Sequence, residues 1–235
     1  MNAIIDPLGI DDQGIVEVSK LLPSKAYPFR NLTLKSFWVF SDKMKHILDD
    51  LKKMGSTSSI PLLITGTTGS GKEMVAKFMH YEVDRDKGEY VAINCTNVNK
   101  EMFESELFGY RGGAFTGASE KGQQGFLKHA EEGTLFLDEI GEIDWEIQTK
   151  LLRVLEEGEY YPLGSNKKER INCRLIFASN KNLEKMVENG QLRTDLYYRL
   201  NVVKKKIPPL EERKEEILAL LSLFIQQLNH DFGKE

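Results

Sequence analysis

The chain has 235 residues, 40% of them hydrophobic and 29% charged, which is enough apolar mass for one substantial core with a small appendage. That balance excludes a disordered chain, a collagen and a disulfide-stapled mini-protein. Against 36 Asp and Glu stand 32 Lys and Arg, a net charge of −4, so there is no overall basic field for gripping nucleic acid.

Residues 1–40 mix short apolar pieces with turn-formers such as Pro7, Gly9, Pro23 and Pro28, and read as an irregular arm or linker. Asp6, Asp11 and Asp12 lie where a secretory signal needs basic residues, and no run approaches the roughly 20 apolar residues of a membrane span. Cys95 and Cys173 stand far apart, with no CxxC pair and no neighbouring His, which argues against a zinc site or a disulfide framework. A cytoplasmic protein without a membrane partner is expected.

From Met44 the residues Ile47, Leu48 and Leu51 follow at i+3, i+4 and i+7, which predicts an amphipathic helix, ended by a Gly/Ser/Thr turn at 55–59. Beyond it, apolar runs of strand length at 61–65, 90–94, 134–138, 174–179 and 202–207 alternate with helical patterns. Near-continuous apolar runs mark buried parallel strands. Ile147, Leu151, Val154 and Leu155 share one helical face, and Ile217, Leu220, Leu221, Phe224, Ile225 and Leu228 another. The alternation predicts an α/β fold over residues 41–235, a parallel sheet flanked by helices.

The run at 62–65 leads straight into Gly66, Thr67, Thr68, Gly69, Ser70, Gly71, Lys72 and Glu73, a GxxxxGK phosphate loop between a strand and a helix. Its glycines let consecutive backbone N–H groups face a phosphate while Lys72 reaches the β and γ phosphates, so ATP with Mg²⁺ is the implied ligand. Glu73 stands where most phosphate loops place a Ser or Thr hydroxyl on the metal, which leaves metal ligation from this position open. The strand at 134–138 ends in Asp138 and Glu139. Downstream of a phosphate loop, Asp138 is the expected Mg²⁺ residue and Glu139 the general base that polarises the attacking water.

Residues 113–118, namely Gly113, Ala114, Phe115, Thr116, Gly117 and Ala118, read GAFTGA. Together with GFLKHAEEGTLFLDEIGE (125–142), LLRVLEEGEYYPLG (151–164) and LRTDLYYRLNV (192–202), they give the chain from about Met44 onward a specific resemblance. It resembles the central AAA+ ATPase domain of the sigma-54-dependent transcriptional activators, the bacterial enhancer-binding proteins. The resemblance implies a P-loop NTPase of AAA+ type, working as a ring that is hexameric in the family, with the sigma-54 RNA polymerase as partner. It implies that residues 113–118 contact sigma-54, chiefly through Phe115 and Thr116. One exposed aromatic flanked by glycines and alanines suits a mobile loop with an anchor at its tip.

Other positions follow from the same resemblance. Asn94 matches the asparagine that pairs with the catalytic glutamate; read from the residues alone it is equally a strand-end cap. Asn180 matches the sensor I asparagine, whose amide could orient the γ-phosphate or the attacking water. Arg193 and Arg199, six apart, match arginine fingers that reach the neighbouring subunit's nucleotide. Without the motif, two helix arginines would be read as solvated or salt-bridged. Residues 37–41 replace an apolar pair and a glycine near the adenine, so different base contacts are expected. The family's helical lid, its sensor II arginine and its helix-turn-helix have no counterpart in these 235 residues, so no sequence-specific DNA binding is expected from this chain. His46, His80, His129 and His230 show no metal spacing and read as surface or packing residues; Lys204, Lys205 and Lys206 read as a solvated strand edge. Two other functions stay open: a nonhydrolytic nucleotide and sigma-54 binding module, and an AAA+ remodeller with another client.

Overall fold

The computed structural model describes residues 26–28, 36–39, 41–55, 60–84, 88–96 and 100–232. The chain divides into two units, residues 1–49 with 208–235, and residues 50–207.

In the first unit, β1 (Ala26–Pro28) and β2 (Ser36–Trp38) pair antiparallel, Ala26 opposite Trp38 and Pro28 opposite Ser36. A ribbon therefore lies inside the stretch read as irregular. Three-residue strands are too short to show a period of two. The rest of the arm, and positions 56–59 of the turn expected after the first helix, lie outside the described residues. Helix α1 (Asp42–Met54) begins where Ser41 Oγ accepts the Met44 N–H at 3.2 Å, an N-cap bond. Asp42 in its first turn and Lys52 and Lys53 in its last suit the helix dipole. Met44, Leu48 and Leu51 are buried and Ile47 half-buried, as their spacing requires.

The second unit is built on five parallel strands: β3 (Leu62–Thr65), β4 (Tyr90–Asn94), β5 (Thr134–Asp138), β8 (Arg174–Ser179) and β9 (Val203–Lys206), in the order β4-β5-β8-β3-β9. Each lies within one residue, at either end, of a predicted apolar run. A two-stranded pair, β6 (Glu159–Tyr160) with β7 (Glu169–Arg170), stands apart from this sheet. The helices are α2 (Lys72–Phe78), which continues as a π-helix over Met79–Asp84, then α3 (Lys100–Phe108), α4 (Phe126–His129), α5 (Trp145–Glu157), α6 (Leu183–Glu188) and α7 (Thr194–Leu200).

Burial explains the strand order. All of β8 and most of β3 and β5 are buried, whereas the outer strands β4 and β9 alternate or are partly exposed. Leu63, Leu135, Leu137 and Phe177 share a core with Leu107, Ile147, Leu151, Val154 and Leu196. Leu62, Ile64, Phe136 and Ile176 alternate with them and are also buried, and α2 packs on β5 and β8, so both faces are covered. At the edge, Lys204 pairs with Glu184 at 3.0 Å and Lys205 with Asp50 at 2.9 Å, charged side chains that blunt an open strand.

Register sets up the site. Ile93, Leu137, Phe177, Leu63 and Lys204 form one row across the five strands. One or two residues later the chain leaves the same edge of the sheet at Asn94, Asp138, Ser179 and Thr65.

Residues 208–232 return to the first unit. There α8 (Glu215–Asp231) begins with a buried ion pair, Arg213 Nη1 to Glu216 Oε2 at 2.5 Å. Glu216 Oε1 also accepts the Ser41 N–H at 3.1 Å, placing a carboxylate at the start of α1. Ala219 is buried, but Ile217, Phe224 and Leu228, half of the predicted apolar face, are exposed. Periodicity groups residues on a face without specifying what covers it. Among the described residues no helix is long and apolar enough to cross a membrane.

Candidate active site

β3 enters the sheet between β8 and β9, the strands that follow it latest in sequence, so its carboxyl end opens at the point where strand order reverses. There the Gly66 N–H donates to Ser179 O at 3.2 Å. A Cβ at Gly66 would meet Ser70 Oγ at 2.7 Å and Ile207 O at 2.9 Å, so only glycine fits. Gly71 precedes α2 with φ 91°, a left-handed conformation that L side chains rarely adopt. Lys72 opens α2 with only 6% of its surface exposed, and its Nζ donates to the carbonyls of Gly66 at 3.2 Å and Thr67 at 3.4 Å. A buried ammonium resting on its own loop is a site built to receive an anion. Glu73 Oε1 lies 2.8 Å from Lys77 Nζ one turn on.

Asp138 closes β5, and Glu139 follows with φ 54° and ψ 48°, a left-handed backbone in a residue that has a side chain. Such a conformation costs about 1–2 kcal/mol and persists where the surroundings hold it. It turns the largely buried Glu139 toward β8. Oε2 accepts the Asn180 N–H at 3.1 Å, and Oε1 lies 3.8 Å from Lys72 Nζ. Asp138 Oδ1 accepts the N–H of Glu139 at 2.9 Å. Asn180 Nδ2 donates to Thr68 Oγ1 at 3.0 Å, so one residue at the end of β8 ties the phosphate loop to the acid pair.

Asn94 is level with Asp138, but it does not pair with Glu139 as the resemblance implies. Its Oδ1 accepts the Thr96 N–H at 2.9 Å and also bonds the Thr96 hydroxyl, so it caps the strand end. β5 adjoins both β4 and β8, and the left-handed turn after Asp138 takes the Glu139 carboxylate to Asn180 on the β8 side. Next to it the Cys95 thiol is pushed up to about 12 by burial, reinforced by the charges of Asp138, Glu139 and Glu142.

Arg193 and Arg199 engage carboxylates of their own chain. Arg199 Nε meets Glu156 Oε1 at 3.1 Å. Arg193 donates Nε to Asp195 Oδ1 at 3.0 Å, Nη2 to Asp195 Oδ2 at 2.8 Å and Nη1 to Thr149 Oγ1 at 3.1 Å. Hydrogen bonding from Arg193 holds the Asp195 carboxyl below the usual range. Residues 113–118 form a loop with Gly113 at φ 76° and Gly117 at φ 93°. Phe115 is 45% exposed and sets its ring edge-on to Tyr110, centroids 5.0 Å apart. The loop's base is pinned: Tyr110 and Gln123 exchange backbone bonds at 2.9 Å, and Arg111 N–H donates to Leu163 O at 3.0 Å. The sequence reading missed the parts played by Tyr110 and Leu163, and by Gln148, Thr149 and Trp145 beside Arg193. For Leu163 the only available signal was the turn chemistry of Pro162 and Gly164.

The sheet, the phosphate loop at its reversal point and the adjoining acid pair define a P-loop NTPase of AAA+ type. Residues 38–206 match the sigma-54 interaction domain, and the chain belongs to that family. It is 38% identical over 237 residues to the regulatory protein AtoC of Escherichia coli K12, covering 97% of this chain and 51% of AtoC. To the DNA-binding transcriptional regulator NtrC of Escherichia coli K12 it is 44% identical over 180 residues, 77% of this chain and 38% of NtrC. Among solved structures, NtrX of Brucella abortus superposes with a TM-score of 0.74 in complex with ADP and in complex with ATP. The identities are 32% and 30%, covering 84% and 93% of this chain and 42% and 47% of NtrX. The chain thus spans about half or less of the length of these relatives.

Proposed function

We propose that this chain binds ATP at residues 66–73, hydrolyses it as part of a ring, and uses the cycle to remodel the closed complex of sigma-54 RNA polymerase through residues 113–118. The observation that carries the reading is the convergence of Lys72, Thr68, Glu139 and Asn180 within bonding reach of one another. Lys72 leaves its loop carbonyls for the β and γ phosphates, which frees Glu139 from the ammonium and lets it take a proton from the attacking water. Asn180 holds that carboxylate by its backbone and the loop by its side chain, so it aligns water against phosphate. Asp138, at the end of β5 beside the phosphate loop, is the residue that would hold Mg²⁺, a cation that keeps water and phosphate oxygens as its other ligands and would neutralise charge on the phosphates. Arg193 and Arg199 complete a neighbour's site with charge at the transferring phosphoryl group.

The domain match and the relatives named as transcriptional regulators support the sigma-54 end of this proposal, and the ADP and ATP complexes of NtrX support the nucleotide end. Three variants separate the steps. Lys72→Ala loses ATP binding in a direct titration. Glu139→Gln binds ATP normally while phosphate release falls by about 100-fold or more. Thr116→Ala hydrolyses ATP at close to the full rate and fails to retain sigma-54 in a pull-down with a trapped nucleotide analogue. Sustained turnover in Glu139→Gln overturns the general-base role, and sigma-54 retention by Thr116→Ala overturns the loop's.

A further inference from the structure

Trp145 opens α5 with half of its surface exposed, 50%, although a helix start asks for no large indole. What the ring covers is Arg193, whose guanidinium carbon lies 5.4 Å from the indole centroid. The rest of that helical turn grips the same arginine. Gln148 Oε1 accepts the Arg193 backbone N–H at 2.9 Å, and Thr149 Oγ1 accepts from Nη1 while donating its own hydroxyl to Trp145 O at 3.1 Å. Asp195 takes the opposite edge, through Nε and Nη2.

These contacts use different parts of a planar group. Asp195 and Thr149 occupy the in-plane N–H fork, the same fork that would meet a phosphoryl oxygen, so they compete with it. The guanidinium lies over the indole ring, and that contact takes up none of the hydrogen-bond acceptors on Asp195 and Thr149. When the fork exchanges carboxylate for phosphate, the ring contact can persist through the exchange and keep the guanidinium from swinging free. The seat also belongs to the segment that carries the water-activating acid, since α5 begins six residues after Glu139.

We propose that Trp145 is a positioning residue for Arg193, a ring that restrains the cation while it moves from Asp195 to the nucleotide of a neighbouring subunit. This rests on the trans-acting reading of Arg193 above. It assigns to position 145 a role that neither the phosphate loop nor the GAFTGA loop requires.

The test uses the full chain at assembling concentration. Trp145→Ala is expected to lower kcat for ATP about tenfold while KM stays within about twofold, and Trp145→Phe to recover most of the loss. In an Arg193→Ala background the Trp145→Ala change adds nothing. The difference in emission between the chain and Trp145→Phe isolates the signal of Trp145; it shifts on addition of ADP with aluminium fluoride and does not shift in Arg193→Ala. If Trp145→Ala melts early, Trp145→Leu keeps apolar bulk without the π-face, and full activity in that variant overturns the proposal. Loss of activity in Arg193→Ala beside normal kinetics in Trp145→Ala overturns the role of Trp145 and leaves the finger intact. Normal turnover in Arg193→Ala overturns the finger reading itself.

Discussion

The backbone of Glu139 shows what a single position gives up for its side-chain contacts. Its left-handed φ of 54° costs about 1–2 kcal/mol relative to an ordinary conformation, and in exchange the carboxylate reaches Asn180 and Lys72 instead of continuing along β5. Glycine adopts that backbone freely, whereas alanine does not. Glu139→Gly should therefore be more stable than Glu139→Ala by about 1 kcal/mol, read from urea midpoints, with both inactive. Equal midpoints would mean that no strain is stored there. A second residue carries a pH dependence. His80 is buried with Nδ1 3.0 Å from Thr134 Oγ1, and burial pushes its pKa below 6.5. The unfolded chain then binds the proton more readily, so this contribution to stability is complete above about pH 6.5 and is lost as pH falls through the lower folded value. Between pH 7.5 and 5.5 the chain should lose more stability than His80→Gln does, and parallel losses would remove the assignment.

Helix α5 shows where sequence pattern stops being informative. Ile147, Leu151 and Val154 recur on one face and are buried, as their period requires. Gln148 sits beside them, 2% exposed, and nothing in a run of apolar residues announces a buried amide. Its partners are the carbonyls of Ile143 and Gln191 and the N–H of Arg193, two of them more than forty residues away. Gln148→Ala strands those groups in a dry site, for a loss of about 1–3 kcal/mol in unfolding free energy, while Gln148→Glu keeps only the acceptor half. A change below about 0.5 kcal/mol in Gln148→Ala would show that water replaces the amide. The same distinction runs through the fold. The central strands were legible because burial on both faces leaves a continuous apolar run, and the phosphate loop because its glycines and lysine sit between a strand and a helix. The short helices α3, α4 and α6, and the β6–β7 pair, were not, since they carry fewer than three turns of pattern or only two residues each. Asn94 was legible as a polar strand end, but whether it caps that end or reaches Glu139 was not, because side-chain direction beyond a strand depends on tertiary neighbours.

At the scale of the molecule, the proposed ring would divide each chain into two half-sites. One holds the phosphate loop, Asp138 and Glu139; the other holds Arg193 and Arg199, now resting on Asp195 and Glu156. Solvent screens exposed pairs of this kind, so redirecting either arginine toward a neighbour's phosphate costs little. If the two halves act across a subunit boundary, hydrolysis per chain rises steeply with protein concentration and then saturates. A nonhydrolytic module gives a flat zero at every concentration. A sharper test mixes defects. Glu139→Gln has a dead acid and intact arginines, and Arg199→Ala has the reverse, so each alone should be inactive. In a ring with one heterologous interface per site, random mixing at equal amounts places an intact acid beside intact arginines at about a quarter of all sites. Recovered turnover near that fraction, measured as phosphate release, requires the arginines to act in trans. A mixture no more active than its parts would confine them to their own chain and end the shared-site reading.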